Sequence, residues 1–86
     1  MKKFNLNDYI LVQITEYGMK ELIKDVGDDF IKHSITPYKK IIDGEVYYKL
    51  QAHQIPDLFG RMLWFSFPCP INPVILVPTE EELRNL

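Results

Sequence analysis

Between Tyr9 and Thr15 the apolar positions alternate: Ile10, Val12 and Ile14 fall on one side, and Tyr9, Leu11, Gln13 and Thr15 on the other. Successive side chains of an extended segment point to opposite faces. This pattern therefore predicts a strand with one apolar and one mixed face, opened by an Asn7-Asp8 turn. The period then changes. Met19, Leu22, Ile23, Val26 and Phe30 recur at i, i+3, i+4, i+7 and i+11, opposite Lys20, Glu21, Lys24 and Asp25, which draws one apolar stripe on a helix. Thr15 is placed to cap that helix, and Glu16 to meet the positive end of its dipole. Gly18 and Gly27 weaken its propensity. The helix is expected over about residues 16–26, and its continuation through Gly27-Asp28-Asp29 to His33 stays open.

Pro37 disfavours helix at Thr36, so Ser34 to Tyr38 reads as a connection. Lys39-Lys40-Ile41-Ile42, Asp43-Gly44 and Glu45 to Leu50 then form a hairpin pattern, since Asp-Gly suits a two-residue turn with positive φ. Ile55, Leu58 and Phe59 return to helical spacing, with Pro56 in a first turn and Gly60 as a C-terminal stop. Arg61 to Phe67 reads as a strand, Pro68 to Pro73 as a rigid loop, and Val74 to Val77 as a short apolar strand. Thr79 followed by Glu82 matches a capping box, starting a helical turn that ends at Leu86. The order is β-α-β-β-α-β-β plus the short C-terminal helical turn. An α+β fold satisfies it: a mixed or antiparallel sheet of four to five strands with two helices packed on one face.

Composition narrows the setting. Eighty-six residues make one domain spanning residues 1–86, with 47% hydrophobic residues and five Phe, five Tyr and one Trp to build a core. Such a chain buries about 60–65% of its unfolded surface, which implies modest stability. Ten Lys and Arg against twelve Asp and Glu leave a net charge of −2, without the positive footprint on which nucleic-acid binding rests. Lys39, Lys40 and Arg61 are the basic residues from which a nucleic-acid-binding regulator would have to be built. Cys69 is the single cysteine, so no internal disulfide forms. The N-terminus lacks the apolar stretch of a secretory signal, and the apolar run from Met62 to Val77 is broken by prolines. A cytoplasmic location is the expectation, with no membrane span.

Catalytic chemistry finds little to stand on. His33, His53, Asp57 and Cys69 match no metal-ligand spacing, and Cys69, set between two prolines, lacks the helix N-terminus that activates a thiol. The glycines are too scattered for a phosphate-binding loop. Asp28-Asp29 reads as a solvated helix end, and the Glu80 to Glu82 run as part of the capping box. No cofactor, metal or catalytic role is expected, and a small enzyme using Cys69 or His53 is the remote reading.

The surplus is aromatic. Tyr47 and Tyr48 on one strand, and Trp64, Phe65 and Phe67 on another, put aromatics on both faces of a small sheet. If one face is uncovered, Tyr48 and either Trp64 or Phe65 are exposed as interface anchors; if both are covered, they are core. A homodimer would own such a face as naturally as a foreign partner.

Two stretches carry a resemblance. Leu6-Asn7-Asp8-Tyr9 with Val12 to Gly18, together with Asp43-Gly44 and Leu58-Phe59-Gly60, resembles small phage and prophage open reading frames. That resemblance covers about two-thirds of the chain in short motifs. It implies a mobile-element origin and stoichiometric binding to a host or phage protein. Ile14 to Gly18 also resembles the strand-to-helix step of winged-helix regulators, here without a recognition helix before it. The expected function is a non-enzymatic protein-binding module, such as an inhibitor of a host defence or nucleic-acid-handling system, using Tyr48, Trp64, Phe65, Asp28 and Asp29. A nucleic-acid-binding regulator is the alternative.

Overall fold

A computed structural model describes residues 5–64 and 69–86, with residues 61–64 described by their backbone. It is an α+β arrangement around a three-stranded antiparallel sheet. Strand β1 (Tyr9–Val12) pairs with β3 (Glu45–Gln51), which also pairs with β2 (Lys39–Ile42), giving the spatial order β1-β3-β2. The Asp43-Gly44 turn has φ of 52° and 81°, the two positive values a type I′ turn requires. It sets Ile42 opposite Glu45, Ile41 opposite Val46 and Lys40 opposite Tyr47.

Register fixes the faces. Ile10 lies opposite Leu50 and Val12 opposite Tyr48, so these four share the face that carries the core. Against it pack α1 (Glu16–Phe30) and α2 (Gln54–Trp64), contributing Leu22, Ile55 and Phe59 to one cluster with Ile31, Ile35 and Ile71. Phe59, Leu22, Ile35, Leu50 and Val12 are fully buried. The opposite face is not bare, because Leu11 and Tyr47 are buried there too.

Helix α1 begins as its sequence dictates: the Thr15 side chain accepts the Gly18 N–H at 3.0 Å. The expected stripe holds only as far as Ile23. Gly27 takes φ 84° and ψ 161°, which breaks the helical phase, and Val26 and Phe30 finish 37% and 38% exposed. The chain resumes as a helix beyond the kink. It passes through a π-helical turn (Ile31–Ile35) and a 3-10 turn (Thr36–Tyr38), and Ile31 and Ile35 replace Val26 and Phe30 in the core. Asp28 and Asp29 thus follow the kink, exposed at the start of the second helical piece.

Two of the expected strands are corrected. Arg61 to Trp64 belong to α2, which runs through Gly60 instead of stopping there. The 3–4 spacing of Ile55, Leu58, Phe59 and Met62 outweighs the β preference of the aromatics, and Pro56 sits in the first turn, where no N–H is needed. Phe65 to Phe67 lie outside the described residues. Val74 to Val77 form no ladder. Leu76 makes one reciprocal pair of backbone bonds with Leu11, at 2.9 and 3.0 Å, and Ile71 bridges Ile14. Between the two bridges Pro73 has no N–H to give, and the Val74 N–H donates to the Asn72 side chain at 2.9 Å, diverting the chain.

The bridged segment is nevertheless tightly held. Thr15 donates its N–H to the Pro70 carbonyl at 3.0 Å, and its hydroxyl forks to the Cys69 and Pro70 carbonyls at 2.9 and 3.0 Å. Gly18 is buried against Pro70 so closely that a β-carbon there would run into the Pro70 carbonyl. The C-terminal α3 (Glu80–Arg84) carries the complete capping box between Thr79 and Glu82.

Candidate functional site

The two outer edges of the sheet differ. That of β1 is covered by the segment holding Ile71 and Leu76, whereas β2 has no partner but β3 among the described residues. Ladder geometry says what β2 offers. A two-residue turn makes Ile42 and Glu45 its hydrogen-bonded closing pair, so Lys40 and Ile42 turn their N–H and C=O groups toward β3. Those of Ile41 point outward, as does the Lys39 C=O, whereas the Lys39 N–H is donated to the Thr36 carbonyl.

The side chains around this edge are apolar. Ile41 is 70% exposed and Val46, directly across the strand pair, 38% exposed. They form a non-hydrogen-bonded pair, the kind in which opposed side chains come closest. On the other face Ile42 borders a groove of about 400 Å³ that it shares with Leu11, Leu76, Val77, Glu82 and Leu86. Val77 is 61% exposed. An apolar margin therefore wraps the hairpin, with Ile41 and Val46 on one side and the groove beneath α3 on the other. Lys39, Asp43 and Glu45 frame it with charge, all exposed.

Glu45 also acts locally. It accepts the Tyr47 hydroxyl at 3.2 Å. Burial pushes the Tyr47 phenol above its ordinary value, and the Glu45 hydrogen bond and the negative charges of Glu45 and Asp43 push the same way. Tyr47 remains a neutral donor at the margin.

A second hollow, of about 300 Å³, is polar. Tyr9, His33, Ser34, Tyr38, Lys49 and Gln54 line it, and the Lys49 ammonium sits 4.7 Å from the centre of the Tyr9 ring. It offers hydrogen-bond donors and one cation–π pair, with no buried polar atom left unpartnered among the described residues.

Of the residues singled out from sequence, Tyr48 lies on β3 and Asp28 and Asp29 lie on α1. Tyr48 is half-buried and packs against the core, its register opposite Val12 placing it on the face that α1 and α2 cover. Trp64 ends α2 instead of standing on a strand, and Phe65 falls outside the described residues. Asp28 and Asp29 sit at the Gly27 kink. Lys39 and Lys40, as neighbours on a strand, point to opposite faces, and the Arg61 side chain is outside the described set. Cys69 is exposed. His53 lies in the turn before α2, with its Nε2 3.1 Å from Gln51 Oε1 and its Nδ1 3.5 Å from Asp57 Oδ2. Among the described residues no three His, Cys, Asp or Glu side chains come together as metal ligands, and no helix is long and apolar enough to cross a membrane.

Sequence reading missed the margin because Ile41 and Ile42 looked like ordinary strand residues. Their signal lay in the hairpin itself: adjacent isoleucines on one strand take opposite faces, and a three-stranded sheet leaves one of its outer strands unpaired. No family model, curated protein or solved structure matches this chain.

Proposed function

We infer that this chain is a non-enzymatic protein-binding module, and that it docks its partner on the margin of the β2–β3 hairpin. The observation that carries the reading is the exposed Ile41–Val46 pair on a strand that pairs with no strand but β3 among the described residues. Unpaired strand edges bind proteins by adding a strand: main-chain hydrogen bonds supply affinity, and alternating side chains supply selectivity. The groove beside Ile42 gives such a strand a seat on the second face. Asp28 and Asp29 lie on a different element and are not part of this surface.

The resemblance to small phage reading frames suits a stoichiometric binder of a host or phage protein, including an inhibitor of a nucleic-acid-handling system. A lone exposed Cys69 suits the reducing cytoplasm as its place of work. Capture of partners from a host lysate by the wild type and by a double variant, Ile41→Asp with Val46→Asp, tests the reading. The account expects a stoichiometric protein partner on the wild type that is lost on the double variant, with both chains folded by circular dichroism. Equal capture by the two chains would remove the hairpin margin from consideration.

A further inference from the structure

We propose that the open edge of β2 pairs with β2 of a second copy, antiparallel and centred on Ile41, to join two three-stranded sheets into one of six strands. This rests on the protein-docking reading of the hairpin margin and goes beyond it: in the isolated protein a second copy takes the edge on which a foreign partner would dock. An antiparallel edge pair must set outward-facing residues against outward-facing residues. On β2 Ile41 offers both its N–H and its C=O and Lys39 its C=O, the Lys39 N–H being donated to Thr36, and Asp43 follows as the first residue of the turn. Lys39 against Lys39 and Asp43 against Asp43 meet this condition but oppose like charges, which leaves the three registers that include Ile41. Ile41 against Lys39 places Lys40 directly opposite Lys40 of the second copy, which opposes like charges. Ile41 against Asp43 carries most of the strand past the end of its partner. Ile41 against Ile41 remains. It brings together the two copies of Ile41, the most exposed large apolar side chain of the described strands, sets Lys39 opposite Asp43 of the second copy twice by symmetry, and lays the Lys40 stem against Ile42.

Lysines on an outer strand ordinarily discourage pairing, because they hold unlike strands apart. Here the charge pattern Lys39…Asp43 reads as its own complement in the reverse direction. The same lysine that repels a foreign basic strand, and would lose hydration unpaired against a neutral one, meets a carboxylate on a second copy. Both sheets keep their helices on one continuous side, since the even register preserves the faces. An edge of four residues is short, so the dimer is small and reversible.

Sedimentation of the full chain over rising concentration, up to the order of 1 mM, tests the proposal. The average mass of the wild type should climb from monomer to dimer, and Ile41→Asp should stay monomeric. Asp43→Asn keeps the turn, because Asn-Gly favours the same type I′ geometry. Lys39→Asp should weaken the dimer about tenfold in the wild-type background, where it opposes two carboxylates, and about twofold or less with Asp43→Asn. A wild type that is monomeric at every concentration overturns the self-pairing. So does a dimer on which Lys39→Asp acts equally in both backgrounds. Either result leaves the protein-docking reading to be decided by the lysate comparison, where a foreign strand would be the occupant.

Discussion

At the scale of single residues, three glycines behave differently for reasons that can be separated. Gly18 is required by contact: its α-carbon lies against the Pro70 backbone, which cannot give way without breaking the Thr15 bonds. Gly18→Ala should therefore destabilise the fold by about 3 kcal/mol despite alanine's better helix propensity, as read by chemical denaturation. Gly27 is required by conformation, with open space around it but a φ of 84°. Gly27→Ala should cost about 1–3 kcal/mol through backbone strain alone. Gly60 is required by neither, because it lies within α2 and an added β-carbon would meet no atom of the described residues. Gly60→Ala should raise stability by about 0.4–1 kcal/mol in the same assay. The spacing of residues does not reveal which case holds. Gly18 and Gly27 both look like blemishes on a helix until Pro70 and the kink are seen.

At the scale of elements, local chemistry was legible wherever the interacting groups lie within a few residues of one another. The Thr15 cap, the Asp43-Gly44 hairpin and the Thr79–Glu82 box are each written in three or four consecutive positions, and each forms. Glu82 makes the last of these caps sensitive to acid. Its carboxylate accepts the Thr79 backbone N–H at 3.0 Å, and this bond, followed by the Thr79 side-chain bond, holds its pKa below the ordinary 4.5, with burial opposing weakly. A depressed folded value means that the stability it gives is present above the unfolded pKa and is lost as pH falls through the folded one. Fraying of α3 should therefore appear only below about pH 4.5, and the amide shifts of Glu82 and Leu83 should report it. Elements decided by distant partners were not legible. The stripe of α1 was extended to Phe30 because nothing local says that Gly27 will take an ε-region backbone and hand the core to Ile31 and Ile35. The strand expected at Arg61 to Phe67 failed over Arg61 to Trp64 because β propensity describes a surface to pack on, and α2 supplied a helical one first.

At the scale of the whole molecule, the unequal edges of the sheet organise everything proposed here. The segment from Cys69 to Leu76 closes the edge of β1 through the Leu11 and Ile14 bridges, and it buries Pro70 and Ile71 in doing so. Nothing comparable closes β2 among the described residues. The margin was invisible in the sequence because exposure is a property of the assembled sheet: Ile41 and Ile10 have the same chemistry, yet one is 70% exposed and the other 3%. Their fates separate only once β3 is seen in the middle. The most direct test is amide hydrogen exchange of β2 followed residue by residue over protein concentration. The Lys40 and Ile42 amides, directed at β3, should be protected throughout. The Ile41 amide should exchange freely in dilute solution and gain protection as concentration rises. An Ile41 amide that exchanges at the unprotected rate at every concentration, beside protected Lys40 and Ile42, would contradict the pairing of this edge with a second copy.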